Sequence, residues 1–244
     1  MAPGKGAQHH ILNTENIEKV ASFEIGNRAH DSVSRDGSFY KVRIETAKAE
    51  PGTLLKLEEF TDTTRYIMPP GLSLSRFIFQ SLTSQGAKVP VLGFVLWPHT
   101  AAPHDNGLPV VAWSHGTSGA TAECAPSNMC NIWYHFQVPH TVAQAGYVVV
   151  ATNYAGLGVD YNARGNFIVH EYMMGPAQAN YLLLSVQAAR KAFELSKGFV
   201  LIAYSQGGPS SWTAAQALVS RPMDGYPGTV SISPVTRIPD WPAS

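Results

Sequence analysis

Cysteine is nearly absent from this chain: only Cys124 and Cys130 occur in 244 residues. Two thiols make no disulfide framework, so apolar burial must hold the fold. Whether they stand apart or close one short loop is open at this level. Neither has a Cys-x-x-Cys or other metal-ligand spacing, so no metal site is expected. Charge is scarce too, with 17 Lys+Arg balancing 17 Asp+Glu. A formal net charge of zero excludes the basic footprint of a nucleic-acid binder. No stretch reaches the roughly 20 apolar residues of a transmembrane helix. The opening MAPGKGAQHHILNTENIEKV also lacks an apolar signal-peptide segment. These residues alone therefore predict a soluble chain that is not visibly exported. What is plentiful is apolar residues, 45% of the total, the composition of a packed globular core.

Residues 1–50 are mixed and poorly periodic, and are expected to form a loosely packed N-terminal extension. Residues 51–244 are expected to form one α/β domain. Within it Leu54–Leu57, Arg76–Leu82 and Pro90–Trp97 read as strands, the second preceded by the breaker Pro69-Pro70-Gly71. Val110–Trp113, Tyr147–Ala151 and Phe199–Ala203 are short apolar runs without polar alternation, as in strands buried on both faces. Between the last two, Leu182, Val186, Ala189 and Phe193 recur at helical spacing, predicting a helix over Pro176–Leu195. A second helix is predicted over Pro209–Val219, with Trp212, Ala215, Leu218 and Val219 on one stripe. Thr229–Ile232 reads as another strand. Strands alternating with helices imply a mostly parallel sheet.

The sharpest chemical signal is Phe199-Val-Leu-Ile-Ala-Tyr-Ser205-Gln-Gly-Gly208. An apolar strand runs into a serine flanked at both second neighbours by small residues, Ala203 and Gly207. A tight strand–serine–helix turn exposes a nucleophile and tolerates little bulk at those flanks. The following helix points its N-terminus at the serine, and the amide of Gln206 is positioned to donate to a developing oxyanion. A second signal, Val110-Val-Ala-Trp-Ser-His115-Gly116-Thr117, places a His-Gly pair directly after a strand upstream of the elbow. Such loops supply the other oxyanion donor, here the amide near Thr117. Bases in this arrangement follow the nucleophile in chain order, so His115 is read as orienting its loop.

From about Pro51 to Asp240 the chain resembles the fungal and bacterial secretory lipases of the α/β-hydrolases. The resemblance rests on PGTLLKLE (51–58), PPGLSLSRF (69–77), HGTSG (115–119), CAPS (124–127) and GYVVVATNYAGLGV (146–159). It continues in order through HEY (170–172), SVQAARKAF (185–193), SQGG (205–208) and SPVTRIPD (233–240). It implies an α/β-hydrolase fold with a mostly parallel central sheet, and secretion. It also implies cofactor-free hydrolysis of small-molecule or lipid carboxylic esters by a Ser-Asp-His triad. Ser205 matches the nucleophile, Thr117 and Gln206 the oxyanion region, and Ala203, Gly207, Gly208, His115 and Gly116 the supporting turns. Tyr204 departs from the pattern, since members often carry His there.

A larger departure follows Ser205. Residues 206–244 hold no histidine; all nine lie upstream, at 9, 10, 30, 99, 104, 115, 135, 140 and 170. Asp240 follows the last predicted strand, short of where the resemblance puts the acid. His170 is read as structural, and His135 and His140 as capping or decorating a helix. A serine hydroxyl is a weak nucleophile without an adjacent base. The expectation is thus a hydrolase domain incomplete at its C-terminal end, with impaired activity. Its alternative is an inactive hydrolase-like fragment that at most binds an apolar ligand or a partner chain.

Overall fold

A computed structural model describes residues 18–19, 38–104, 107–133 and 138–236. Most of the predicted N-terminal extension, with His135 and Asp240, lies outside the described residues.

Seven strands form one sheet: β1 (Leu54–Glu58), β2 (Leu72–Leu82), β3 (Lys88–Pro98), β4 (Leu108–Ser114), β5 (Val148–Thr152), β6 (Leu195–Tyr204) and β7 (Thr229–Ile232). Their spatial order is β1-β2-β3-β5-β4-β6-β7. The β5–β4, β4–β6 and β6–β7 pairs are parallel, and the β1–β2, β2–β3 and β3–β5 pairs are antiparallel. Because two reversals restore direction, only β1 and β3 oppose the rest, and the sheet is mostly parallel in strand direction as expected.

Each face of the sheet has its own core. On one, Val148, Val150, Phe77, Phe79 and Leu201 pack against α2 (Gly175–Ala192) and α3 (Gly207–Ser220). On the other, Val149, Ala151, Phe94, Leu96 and Trp113 pack with Ala143 of the short helix α1 (Pro139–Gln144). Alternate residues of β5 thus serve opposite layers, which is why that strand is apolar from Val148 to Ala151.

The structure shifts three sequence-based expectations. Strand β2 begins at Leu72 rather than Arg76, because Leu72 to Ser75 complete the antiparallel register with Val95 to Pro98 of β3. Helix α2 stops at Ala192, where Phe193 turns extended (φ −135°, ψ 151°) and Leu195 pairs with Leu108 as part of β6. Helix α3 begins two residues early and is rotated. It buries Ser210, Ser211, Ala214 and Leu218, while Trp212 and Val219 face outward. Packing small hydroxyl residues against the sheet brings α3 close, and this outweighs the apolar stripe read from spacing alone. Cys124 and Cys130 form no disulfide.

Of the described residues in 1–50, Phe39 and Tyr40 reach the sheet. Phe39 is buried in the first core. Tyr40 accepts a hydrogen bond from the Arg76 guanidinium at 2.8 Å and donates to Asn128 at 2.5 Å.

Candidate active site

Strands β4 and β6 run side by side, with Ser114 opposite Ala203. The loop starting at His115 and the turn at Ser205 therefore leave the same end of the sheet together, the carboxyl end where ligands bind in open α/β folds. The two segments start from neighbouring strand ends, although 88 residues separate Thr117 from Ser205 along the chain.

At Ser205 the backbone has φ +50°, a left-handed conformation that costs a serine on the order of 1–3 kcal/mol and persists only where its surroundings enforce it. Two hydrogen bonds and two close approaches do so. The Ser205 amide donates to the Ile232 carbonyl of β7 at 3.0 Å, and the Ser205 carbonyl accepts from the Gly208 amide at 2.9 Å. Gly207 sits so near β4 that a Cβ there would lie 2.2 Å from the Ser114 carbonyl oxygen, and one on Gly208 would lie 2.4 Å from Pro234. Ala203 is fully buried, so one methyl fits at the first flank. Tyr204, the last residue of β6, packs against the second core.

Beneath the turn runs a buried polar column. Ser114 Oγ lies 2.8 Å from the Tyr154 hydroxyl, which donates to the His115 carbonyl at 2.7 Å. Tyr154 stacks between two imidazoles, with ring centroids 4.3 Å from His115 and 5.9 Å from His170. Burial, helped by the nearby His170, pushes the His115 imidazole down to about 4. His115 is therefore neutral near pH 7 and donates from Nδ1 to the Gly116 carbonyl at 2.6 Å. Burial likewise lowers His170, against the opposing pull of the Ala155 carbonyl and the Glu171 carboxylate. Neutral His170 donates from Nδ1 to Ala155 at 3.0 Å and accepts at Nε2 from the Gln206 side-chain amide at 3.3 Å. Both ring nitrogens of His170 are thereby engaged.

Thr117 is exposed, with its carbonyl accepting from the Trp133 indole at 3.0 Å and its hydroxyl 3.0 Å from the Tyr172 hydroxyl. The residues the sequence did not single out are Ser114, Tyr154, Glu171 and Tyr172. Only Glu171 and Tyr172 carried a signal, as neighbours of His170 in the HEY block. His140 is buried in α1 rather than decorating its surface. Among the described residues no group of three His, Cys, Asp or Glu is placed to hold a metal ion, and no helix is long and apolar enough to cross a membrane.

A mostly parallel sheet flanked by helices, with a left-handed serine between strand and helix, defines the α/β-hydrolase fold. Solved structures share it. The cell-wall-degrading esterase LipA of Xanthomonas oryzae aligns over 75% of this chain and 49% of its own, at 21% identity and a TM-score of 0.55. Candida antarctica lipase A aligns over 84% and 46%, at 16% identity and a TM-score of 0.61. A Legionella pneumophila protein described as a putative hydrolase aligns over 74% and 52%, at 22% identity and a TM-score of 0.53. The chain thus spans about half the length of these structures. No protein-family model matches it, and no curated protein matches it in sequence.

Proposed function

We propose that this chain is a carboxylic-ester hydrolase of small-molecule or lipid esters, with Ser205 as its nucleophile. One observation carries the reading: a non-glycine residue held at φ +50° between a buried strand and a helix N-terminus. Such strain has no structural benefit at a turn that glycine would satisfy, and it presents Oγ outward. Ser205 Oγ attacks the ester carbonyl carbon. The oxygen that becomes negative is held by the amides of Gln206 and Thr117, the alcohol leaves, and water then releases the acyl group from Ser205. Esterase and lipase structures with the same fold support this assignment.

The proton of Ser205 needs an acceptor. His170 is committed elsewhere, and no histidine stands among residues 206–244. Turnover by these residues is accordingly impaired, near the ~10³–10⁴-fold over water that oxyanion stabilisation and binding give a triad enzyme lacking a member. The engagement of both His170 ring nitrogens favours the second reading, an inactive fold that binds an apolar ligand or a partner chain.

Treating the protein with a fluorophosphonate probe separates the two. Slow labelling at Ser205, lost in Ser205→Ala, with weak p-nitrophenyl acetate hydrolysis lost in parallel, is the expected result. No labelling, together with hydrolysis unchanged by Ser205→Ala, would overturn the hydrolase reading in favour of the second.

A further inference from the structure

Residues His170, Glu171 and Tyr172 lie 33 to 35 positions before Ser205 and belong to no helix or strand. Yet the first and third each touch a different residue of the proposed oxyanion hole. His170 Nε2 accepts from the Gln206 side chain at 3.3 Å, and the Tyr172 hydroxyl lies 3.0 Å from Thr117 Oγ1. Between them Glu171 faces the scaffold. Its carboxylate accepts from the Ser84 amide at 3.1 and 3.2 Å, from the Ser84 hydroxyl at 2.5 Å and from the Tyr181 hydroxyl at 2.5 Å. Ser84 is in the β2–β3 turn and Tyr181 in α2, so a single carboxylate ties the segment to two separate elements.

We infer that His170-Glu171-Tyr172 is a positioning clamp for the oxyanion side of the Ser205 site, anchored by Glu171. The inference rests on the hydrolase reading and adds to it the residues that set the hole's geometry.

The segment is over-determined. Gly156 passes so close that a Cβ there would lie 2.9 Å from the His170 nitrogen and from the Ile168 carbonyl oxygen. Gln178 donates to the Glu171 carbonyl at 3.3 Å, and Met173 is forced to φ +58° as the chain turns into α2. Burial and the adjacent carboxylate hold the Tyr181 phenol well above its usual range, so it remains a donor to Glu171. Hydrogen bonds to a charged acceptor are the strong kind, and several on one carboxylate fix its position. The need at the other end is equally clear. The Gln206 side chain is buried, its Oε1 is without a partner, and its Nε2 bonds to His170. If His170 moves, that amide is left buried and unsatisfied, and its backbone shifts with it. Oxyanion donors act only when aimed where charge develops, so small displacements are felt in rate more than in binding.

The test uses the intact 244-residue chain and a fluorophosphonate probe, resolving the maximal labelling rate from the half-saturating probe concentration. Hydrogen exchange is followed in peptides covering 115–119 and 204–208. Glu171→Ala is expected to slow maximal labelling about 10- to 100-fold, somewhat less than the ~10²–10³ for deleting an oxyanion donor outright. Half-saturation should stay within about threefold, and exchange should quicken in both peptides. Glu171→Gln, which keeps one acceptor, should retain part of the rate and provides a folded comparison should the alanine variant not fold. In a Gln206→Ala background Glu171→Ala should add less than in the wild type, since only the Tyr172–Thr117 contact is then left to lose. Tyr66→Phe, which loses a buried hydrogen bond to the Ser127 carbonyl, should lower thermal stability while leaving labelling unchanged. Equal labelling by Glu171→Gln, Glu171→Ala and the wild type, or equal loss in Tyr66→Phe, overturns the clamp. If the wild type is unlabelled at Ser205 and its ester hydrolysis is unchanged by Ser205→Ala, the hydrolase reading falls by itself. The exchange data still decide the clamp, because unchanged exchange in the Glu171 variants would sink it independently.

Discussion

A Cβ on Gly207 would sit 2.2 Å from the Ser114 carbonyl oxygen, while Ala203, on the other flank of Ser205, keeps its methyl in a fully buried place. The two small flanking residues are thus not equivalent. One lies at the closing helix turn pressed against the backbone of β4, and the other stands within β6, where side chains leave the sheet plane. Gly207→Ala must push helix α3 and β4 apart. We expect it to destabilise the protein by about 1–3 kcal/mol, the range for overpacking, measured by urea unfolding, and to abolish fluorophosphonate labelling of Ser205. Retention of both stability and labelling would show that the turn has slack. Ala203→Gly should cost labelling far less, because it removes only a methyl the site already accommodates.

At the scale of elements, β1 is joined to β2 by more than its ladder. Glu58 stands directly opposite Arg76, and the guanidinium contacts both carboxylate oxygens, at 2.5 and 2.9 Å. Arg76 also lies over the Phe39 ring at 4.8 Å. Its side chain is 4% exposed against 31% for Glu58, so the arginine is the partner that cannot recover its hydration. Removing Glu58 leaves a buried, uncompensated charge. Glu58→Gln is expected to lower stability towards the bottom of the ~3–5 kcal/mol range for broken buried pairs, since Glu58 is partly exposed. The double variant Glu58→Leu/Arg76→Met should recover much of that loss in the same urea titration. A double variant no more stable than Glu58→Gln would mean that packing, not charge, holds β1. The sequence hid this link: Arg76 reads as the polar start of a strand, and only its pairing with β1 shows it buried.

Acid response belongs to the whole molecule, because groups in different layers act in sequence. Burial, foremost, brings His115 to about 4 from an ordinary 6.5, and lowers His170 as well. The unfolded chain takes up these protons first, so the stability they contribute is fully present above pH 6.5 and is lost as pH falls towards 4. Glu58 follows. Burial alone would raise its carboxyl, but hydrogen bonds from Arg76 and Thr61 and the guanidinium charge hold it below its usual 4.5. Its contribution is present above the unfolded value and goes as pH drops through the folded one. Urea midpoints should therefore decline between pH 6.5 and 4, then fall further below it. In His115→Phe the first decline should flatten in part, leaving the share due to His170. A midpoint constant from pH 6.5 to 5 in the wild type would contradict the buried, neutral imidazoles.

Local pattern by itself determined the strands and the elbow. Apolar runs such as Tyr147–Ala151 suit strands covered on both faces, and small residues around Ser205 suit a tight turn, so both were legible without neighbours. The same reading put the loop after β4 and the turn after β6 at one edge, since those strands are parallel. It misjudged the face of α3, because spacing records where apolar residues recur and not how closely a helix must approach. It also passed over Glu171, whose partners Ser84 and Tyr181 are 87 and 10 residues away. A carboxylate's task depends on which donors surround it, and only the folded arrangement of the β2–β3 turn, α2 and the loop before it brings those donors to one point.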